Sequence, residues 1–196
     1  MDLSLTETQK LIQDSTRDVV RNSFAKDVLL SLDDRPVPMT DTLWREAAEL
    51  GWMGMAIPEA YGGTGNSLTD VAVLYEELGR GPVPGAFFSS GVLGALTVMN
   101  TATEAQKSAW LPEIATGDRI MALAITEKRY GWSPNHVAME AKLVDGSYVL
   151  NGTKLFVHDA ASATDLLVMA RTETGPSLLR VDAKAPGVAI LSLIHI

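Results

Sequence analysis

Residues 126–133, TEKRYGWS, place a hydroxyl, a carboxylate, two cations, two aromatic rings and a glycine side by side. They follow the apolar run Met121–Ile125, which is fit for a buried strand. A loop of this make-up at a strand end can do three things for a ligand. Thr126 can hydrogen-bond it, Lys128 and Arg129 can offset an anionic group, and Gly131 can let it approach the backbone closely. The same residues have plainer readings: Thr126-Glu127 as a strand-to-turn transition, Lys128 and Arg129 as solvated surface charges. His136 reads as a surface residue at a strand start. His158, beside Asp159, reads either as a site residue or as a turn histidine. His136, His158 and His195 are not at metal-ligand spacing and there is no cysteine, so no metal is expected. Glu46, Glu49, Glu76 and Glu77 lie in helical stretches and read as solvated faces. GGTG, residues 62–65, lacks the Lys-Ser/Thr of a phosphate loop.

The elements that must hold this loop change character along the chain. The first 118 residues read as helices. Thr6 with Gln9, or Ser4 with Glu7, offers a capping box, and Leu5, Leu11, Ile12, Val19, Val20 and Phe24 form one apolar face. Prolines break the chain at RPVPM. Asp41 is expected to cap TLWREAAEL, which stops at Gly51. Ser67 and Asp70 open a helix that Gly79 closes. AFFSSGVLGALTVMN, apolar on nearly every side, reads as a helix buried between others. Thr103 and Gln106 open a short helix ending near Pro112. From residue 119 the pattern becomes strand-like. HVAMEAKLV alternates, Asp145-Gly146 and Asn151-Gly152 signal hairpins around SYVL, and TKLFV follows. DLLVMART and SLLRVD make a further pair around Gly175-Pro176. The fold class is therefore α+β: an all-helical domain at 1–118, then a small, truncated antiparallel β domain at 119–190, with a non-native tail expected at 191–196. The cleft between the domains is where a ligand is expected.

Composition narrows the function. A hydrophobic content of 46% with 20% charged residues supports a real core. The net charge of −8 argues against nucleic-acid binding, though a local basic spot can still meet an anionic ligand. No apolar run approaches the ~18 residues of a membrane span, and no signal peptide is visible. A cytoplasmic protein fits this picture.

Four segments, in order, resemble the acyl-CoA dehydrogenases: IPEAYGGTG, EELGR, ALAITE and NGTKLFV. They are similar to that family's PEEYGG-type loop, the helix end after it, the strand entering its TEPGAGSD loop, and its NGxKxWI-type strand. The likeness covers about residues 1–190. It implies a helical domain, a middle β domain and a C-terminal helical bundle, of which this chain supplies the first two. It also implies FAD as cofactor, with the loop after ALAITE lying along it. The resemblance then assigns Leu123, Ile125 and Thr126 to the flavin ring and Gly131 to the loop's second glycine. Phe156 takes the place of the family's ring-covering tryptophan, beside Val157, and His158 that of its threonine or serine. Phe156 also reads as a core residue of its strand, and both roles turn its ring inward.

The loop departs from the family pattern. Lys128-Arg129-Tyr130 replaces proline-glycine-alanine, and Trp132-Ser133 replaces serine-aspartate. Trp132 keeps an indole N–H donor, and Lys128 or Arg129 would face the pyrophosphate or a CoA phosphate. The implied reaction is α,β-dehydrogenation of an acyl-CoA thioester. A carboxylate takes the α-proton, hydride passes to the flavin, and an electron-transfer flavoprotein is the acceptor. The family's base lies in the C-terminal bundle, so no catalytic residue is named. The other readings are a non-catalytic partner subunit of a mixed acyl-CoA dehydrogenase oligomer, motivated by Trp132 and His158, and a relative with other flavin chemistry. A homo- or hetero-oligomer is expected. LSLIHI, residues 191–196, reads as a foreign tail.

Overall fold

The computed structural model describes residues 4–33, 39–129, 131 and 133–192. Among the described residues six α-helices come first: α1 Glu7–Ser23, α2 Lys26–Asp33, α3 Asp41–Glu49, α4 Leu68–Arg80, α5 Ala95–Thr101 and α6 Glu104–Ala115. Their starts follow side-chain chemistry. Thr6/Gln9, Ser67/Asp70 and Thr103/Gln106 each form a reciprocal capping box that satisfies amides left open at a helix start. At α3 the cap is Thr40 rather than Asp41, because the Leu43 N–H reaches the Thr40 hydroxyl at 3.2 Å. Two ends lie beyond the expected residues. Helix α4 runs through Gly79 to Arg80, with the Gly81 N–H donating to the Glu77 carbonyl. Helix α6 runs through Pro112 to Ala115. A proline there forfeits one amide bond, while buried Leu111, Ile114 and Ala115 hold the last turn to the core.

Helices α1 and α4 pack by polar as well as apolar contacts. Gln9 donates to Asp70 at 2.9 Å, and Arg17 grips Glu77 with two bonds at 2.8 and 3.1 Å. Arg80 lies 3.2 Å from the same carboxylate. Glu77 is therefore buried, not solvated as its helix pattern implied; paired charge makes the burial tolerable. Its Arg17 partner holds its carboxyl below the usual range. Glu46, expected on a solvated face, is half-buried and accepts from Ser23 at 2.9 Å. Leu11 is 70% exposed, outside the apolar face it was expected to join.

Residues Phe87–Gly94 form a π-helix running directly into α5. Its neighbours explain the apolar stretch: Phe87 packs against Trp44 and Trp52 at ring separations of 5.2 and 5.8 Å. Phe88 points the other way and is 54% exposed. A second core joins the helices to the sheet, with Ile57, Ala95, Val98, Leu111 and Ile114 against Met121 and Leu167.

The sheet is mixed. Strand β1, Met121–Ala124, pairs in parallel with β4, Asp165–Thr172, and β4 pairs antiparallel with β5, Gly175–Asp182. Gly175-Pro176 begins β5, so the turn lies at 173–174. Strands β2, Ala141–Val144, and β3, Ser147–Leu150, form a hairpin across Asp145-Gly146, both in the left-handed region at φ 49° and 80°. Three strand expectations fail for backbone reasons. Residues 136–140 of HVAMEAKLV stay outside the ladder. The Arg171 guanidinium takes the Asn135 and Val137 carbonyls, and its N–H takes that of Met139. Asn151-Gly152 makes no hairpin, and TKLFV is no strand. Among the described residues one backbone bond, Leu155 N–H to the Thr126 carbonyl at 2.8 Å, ties it to the rest before Phe156 turns left-handed at φ 54°. Among the described residues no helix is long and apolar enough to cross a membrane.

Candidate functional site

The site is built where β1 ends. Ser90, on the π-helix, accepts the Met121 N–H at 3.1 Å and donates to the Arg119 carbonyl at 3.3 Å, which fixes the start of β1. Leu123 is half-buried against the inter-domain core, whereas Ile125 is 42% exposed. Thr126 is half-buried. Its carbonyl accepts from Leu155, while neither its hydroxyl nor its N–H donates to another described residue.

Glu127 then anchors the loop. Its carboxylate accepts from the N–H groups of Ala138 and Met139 at 2.9 and 3.1 Å, and from the Lys154 ammonium at 2.6 Å. Both side chains are buried, at 10% and 6% exposure. Burial pushes the Glu127 carboxyl up, but the ammonium and the two amides outweigh it and hold it below its usual range. Lys154 also donates to the Ile125 carbonyl at 3.2 Å. Glu127 thus ties the backbone at Ala138 and Met139 to the strand end, and Lys154 sets the 154–158 segment beside it.

Outside this anchor Lys128 and Arg129 are exposed and enter no ion pair among the described residues. A Cβ at Gly131 would fall 1.7 Å from the Nδ1 of His136, so the close approach that Gly131 allows is made by that imidazole. Trp132, like Tyr130, lies outside the described residues. Phe156 does not have the inward orientation expected in both of its readings. Its ring is 67% exposed rather than inward, because the left-handed backbone interrupts the alternation that would have buried it. Val157 is half-buried and His158 exposed, in the turn before Asp159.

The Leu155–Thr126 and Lys154–Ile125 bonds thus bring the segment that carries Phe156, Val157 and His158 to the strand end at Ile125 and Thr126. Glu127 and Lys154, which make this possible, were not among the residues expected to matter. They lie 27 positions apart, with no spacing signal to link them. A planar ligand with a polar edge fits this set: free donors at Thr126 and exposed apolar side chains at Ile125 and Phe156. Residues Lys128 and Arg129 suit an anionic extension of it.

Known proteins give this geometry its context. The family model for the acyl-CoA dehydrogenase N-terminal domain matches residues 6–118, and that for the middle domain matches residues 122–195. Benzylmalonyl-CoA dehydrogenase of Aromatoleum aromaticum is 32% identical over 201 residues, covering 100% of this chain and 52% of the relative. The ChsE4-ChsE5 complex from Mycobacterium tuberculosis superposes with a TM-score of 0.86 at 26% identity, covering 98% of this chain and 52% of that one. A glutaryl-CoA dehydrogenase from Mycobacterium smegmatis in complex with FADH2 gives 0.80 at 26% identity, over 93% and 47%. The chain spans about half the length of these relatives. Two family domains matched in order over nearly its whole length show that the chain belongs to the acyl-CoA dehydrogenase family.

Proposed function

We propose that residues 1–118 and 119–190 are the helical and middle β domains of an acyl-CoA dehydrogenase, and that they bind FAD and acyl-CoA at their junction. The observation that carries this reading is Thr126, whose hydroxyl and amide donate to no other described residue, next to exposed Ile125 and tied by Leu155 to the segment of exposed Phe156. In it, Leu123, Ile125 and Thr126 meet the ring edge, Phe156 with Val157 covers a ring face, and His158 closes the far side. Gly131 admits His136 into the loop, and Trp132 adds an N–H donor. Bound FAD supplies a hydride acceptor for α,β-dehydrogenation of the acyl thioester, and an electron-transfer flavoprotein takes the electrons onward. The chain's own residues bind, orient and exclude water; no base is assigned among them.

Thr126→Val removes the free hydroxyl and keeps the shape. A hydrogen bond of this kind is worth ~0.5–1.5 kcal/mol, so FAD affinity of the full-length protein falls several-fold in a fluorescence titration. Unchanged affinity and an unchanged flavin spectrum overturn the assignment. Replacing Lys128 and Arg129 together with glutamine weakens FAD or CoA binding at low salt, and the deficit shrinks at high salt, where screening already weakens the attraction. Equal binding at low salt rejects their phosphate role.

A second reading has its own observation. The loop departs from the family pattern at 128–130 and 132–133, and His136 occupies the approach to Gly131. A subunit with such a loop can serve a mixed oligomer without holding its own flavin. A colourless protein that becomes yellow and active on mixing with a partner subunit selects this reading; a yellow protein on its own selects the first.

A further inference from the structure

The segment Phe156–Asp159 carries an unusual backbone. Three described non-glycine residues have positive φ. Asp145 is explained by its hairpin turn, but Phe156 at φ 54° and Asp159 at φ 56° belong to no hairpin. A left-handed conformation costs an ordinary residue roughly 1–2 kcal/mol, most of all a bulky one such as phenylalanine. Two such residues within four positions persist when neighbouring contacts over-determine them, and such outliers cluster at ligand clamps.

The contacts come from both domains. Before the segment, Lys154 is fixed by Glu127. After it, the Asp159 carboxylate accepts a hydrogen bond from the hydroxyl of Ser89, a buried residue of the π-helix. Asp159 enters no ion pair among the described residues, so Ser89 is its anchor. Tyr75 of α4 lies close enough that burial, and then the Asp159 charge, raise its phenol well above the usual range. Tyr75 in turn meets Phe88 edge-on at 5.9 Å. The π-helix thus uses two adjacent serines on the β part: Ser90 holds β1, and Ser89 holds the turn after His158. Wide π-helical turns are uncommon and recur at functional sites.

We propose that the Ser89–Asp159 hydrogen bond is an inter-domain latch, and that Asp159 is a positioning residue that holds Phe156 and His158 in their left-handed segment against the bound ligand. The latch stands on contacts within this chain; its effect on a flavin rests on the proposed function.

The test separates hydrogen bond, charge and backbone. Ser89→Ala removes the donor, Ser89→Thr keeps it, Asp159→Asn keeps an acceptor in a residue that tolerates left-handed backbone, and Asp159→Gly relieves the backbone but removes the acceptor. Amide exchange reads the segment directly, because Ser162 and Ala163 donate to the carbonyls of Asp159 and Ala160 at 3.0 and 3.2 Å. Ser89→Ala and Asp159→Gly speed exchange at these amides at least ~10-fold, while Ser89→Thr and Asp159→Asn stay within about two-fold of wild type. Exchange unchanged in Ser89→Ala, or slowed in Asp159→Gly, overturns the latch. With FAD added, the two loosened variants shift the flavin absorption band and the two conservative ones restore it. Faster exchange with an unmoved band overturns the positioning role. A full-length wild-type protein that takes up no FAD fails the proposed function instead, and the exchange result still decides the latch.

Discussion

Gly63→Ala melts at least ~10 °C below wild type, whereas Gly62→Ala, one residue earlier, loses only a few degrees. A Cβ at position 63 would stand 2.0 Å from the Ile57 carbonyl oxygen and 2.5 Å from that of Gly54. Both are backbone atoms, and both are already committed. The Ile57 carbonyl accepts from Gly65 at 2.9 Å and that of Gly54 from Thr64 at 3.1 Å, while Ile57 itself is fully buried. The loop cannot widen without breaking these bonds, so the cost reaches or exceeds the ~3 kcal/mol typical of severe overpacking. At Gly62 the nearest atom to a Cβ is 3.9 Å away, and the penalty is the left-handed backbone at φ 81°, roughly 1–2 kcal/mol. Thermal unfolding of the two variants checks the contrast. Equal losses would mean that backbone conformation, not close approach, explains the glycine pair.

The second large effect is expected at Lys154. Lys154→Met leaves the Glu127 carboxylate buried with two amides and no cation, and breaking a buried pair from one side costs about 3–5 kcal/mol. The double variant Glu127→Gln/Lys154→Met recovers much of this loss, because no buried charge remains. The pH dependence has a definite sign. The folded-state pKa of Glu127 is lowered, so its contribution is full above the ordinary glutamate value and fades as pH falls through the lower folded value. The stability gap between wild type and Lys154→Met therefore narrows in acid. Denaturant melts of the three proteins at neutral and acidic pH measure it, and a gap that widens in acid would refute the ion-pair account. Because Lys154 also fixes the 154–158 segment, the single variant should lose FAD affinity together with stability.

Much of the helical part could be read locally. The Thr6/Gln9, Ser67/Asp70 and Thr103/Gln106 boxes satisfy amides three residues apart, and Asp145-Gly146 makes its turn from its own backbone preferences. Such signals survive in sequence because the interacting atoms are close along the chain. The order of family-like segments was also legible, and with it the fold class and a strand just ahead of Thr126, although that strand ends at Ala124 and leaves Ile125 exposed. Long-range contacts decided the rest. Glu77 looked solvated on its helix and is buried because Arg17, 60 positions earlier, reaches it. HVAMEAKLV alternates like a strand, yet Arg171 takes the carbonyls that pairing would need. Phe156 follows an alternation that would bury it and stands 67% exposed, because its segment is pulled left-handed between Lys154 and the Ser89-held Asp159. Periodicity assigns a side chain to a face on the premise that the backbone stays regular. Where distant charges and hydroxyls compete for that backbone, as they do around this site, the tertiary structure alone sets which way each residue points.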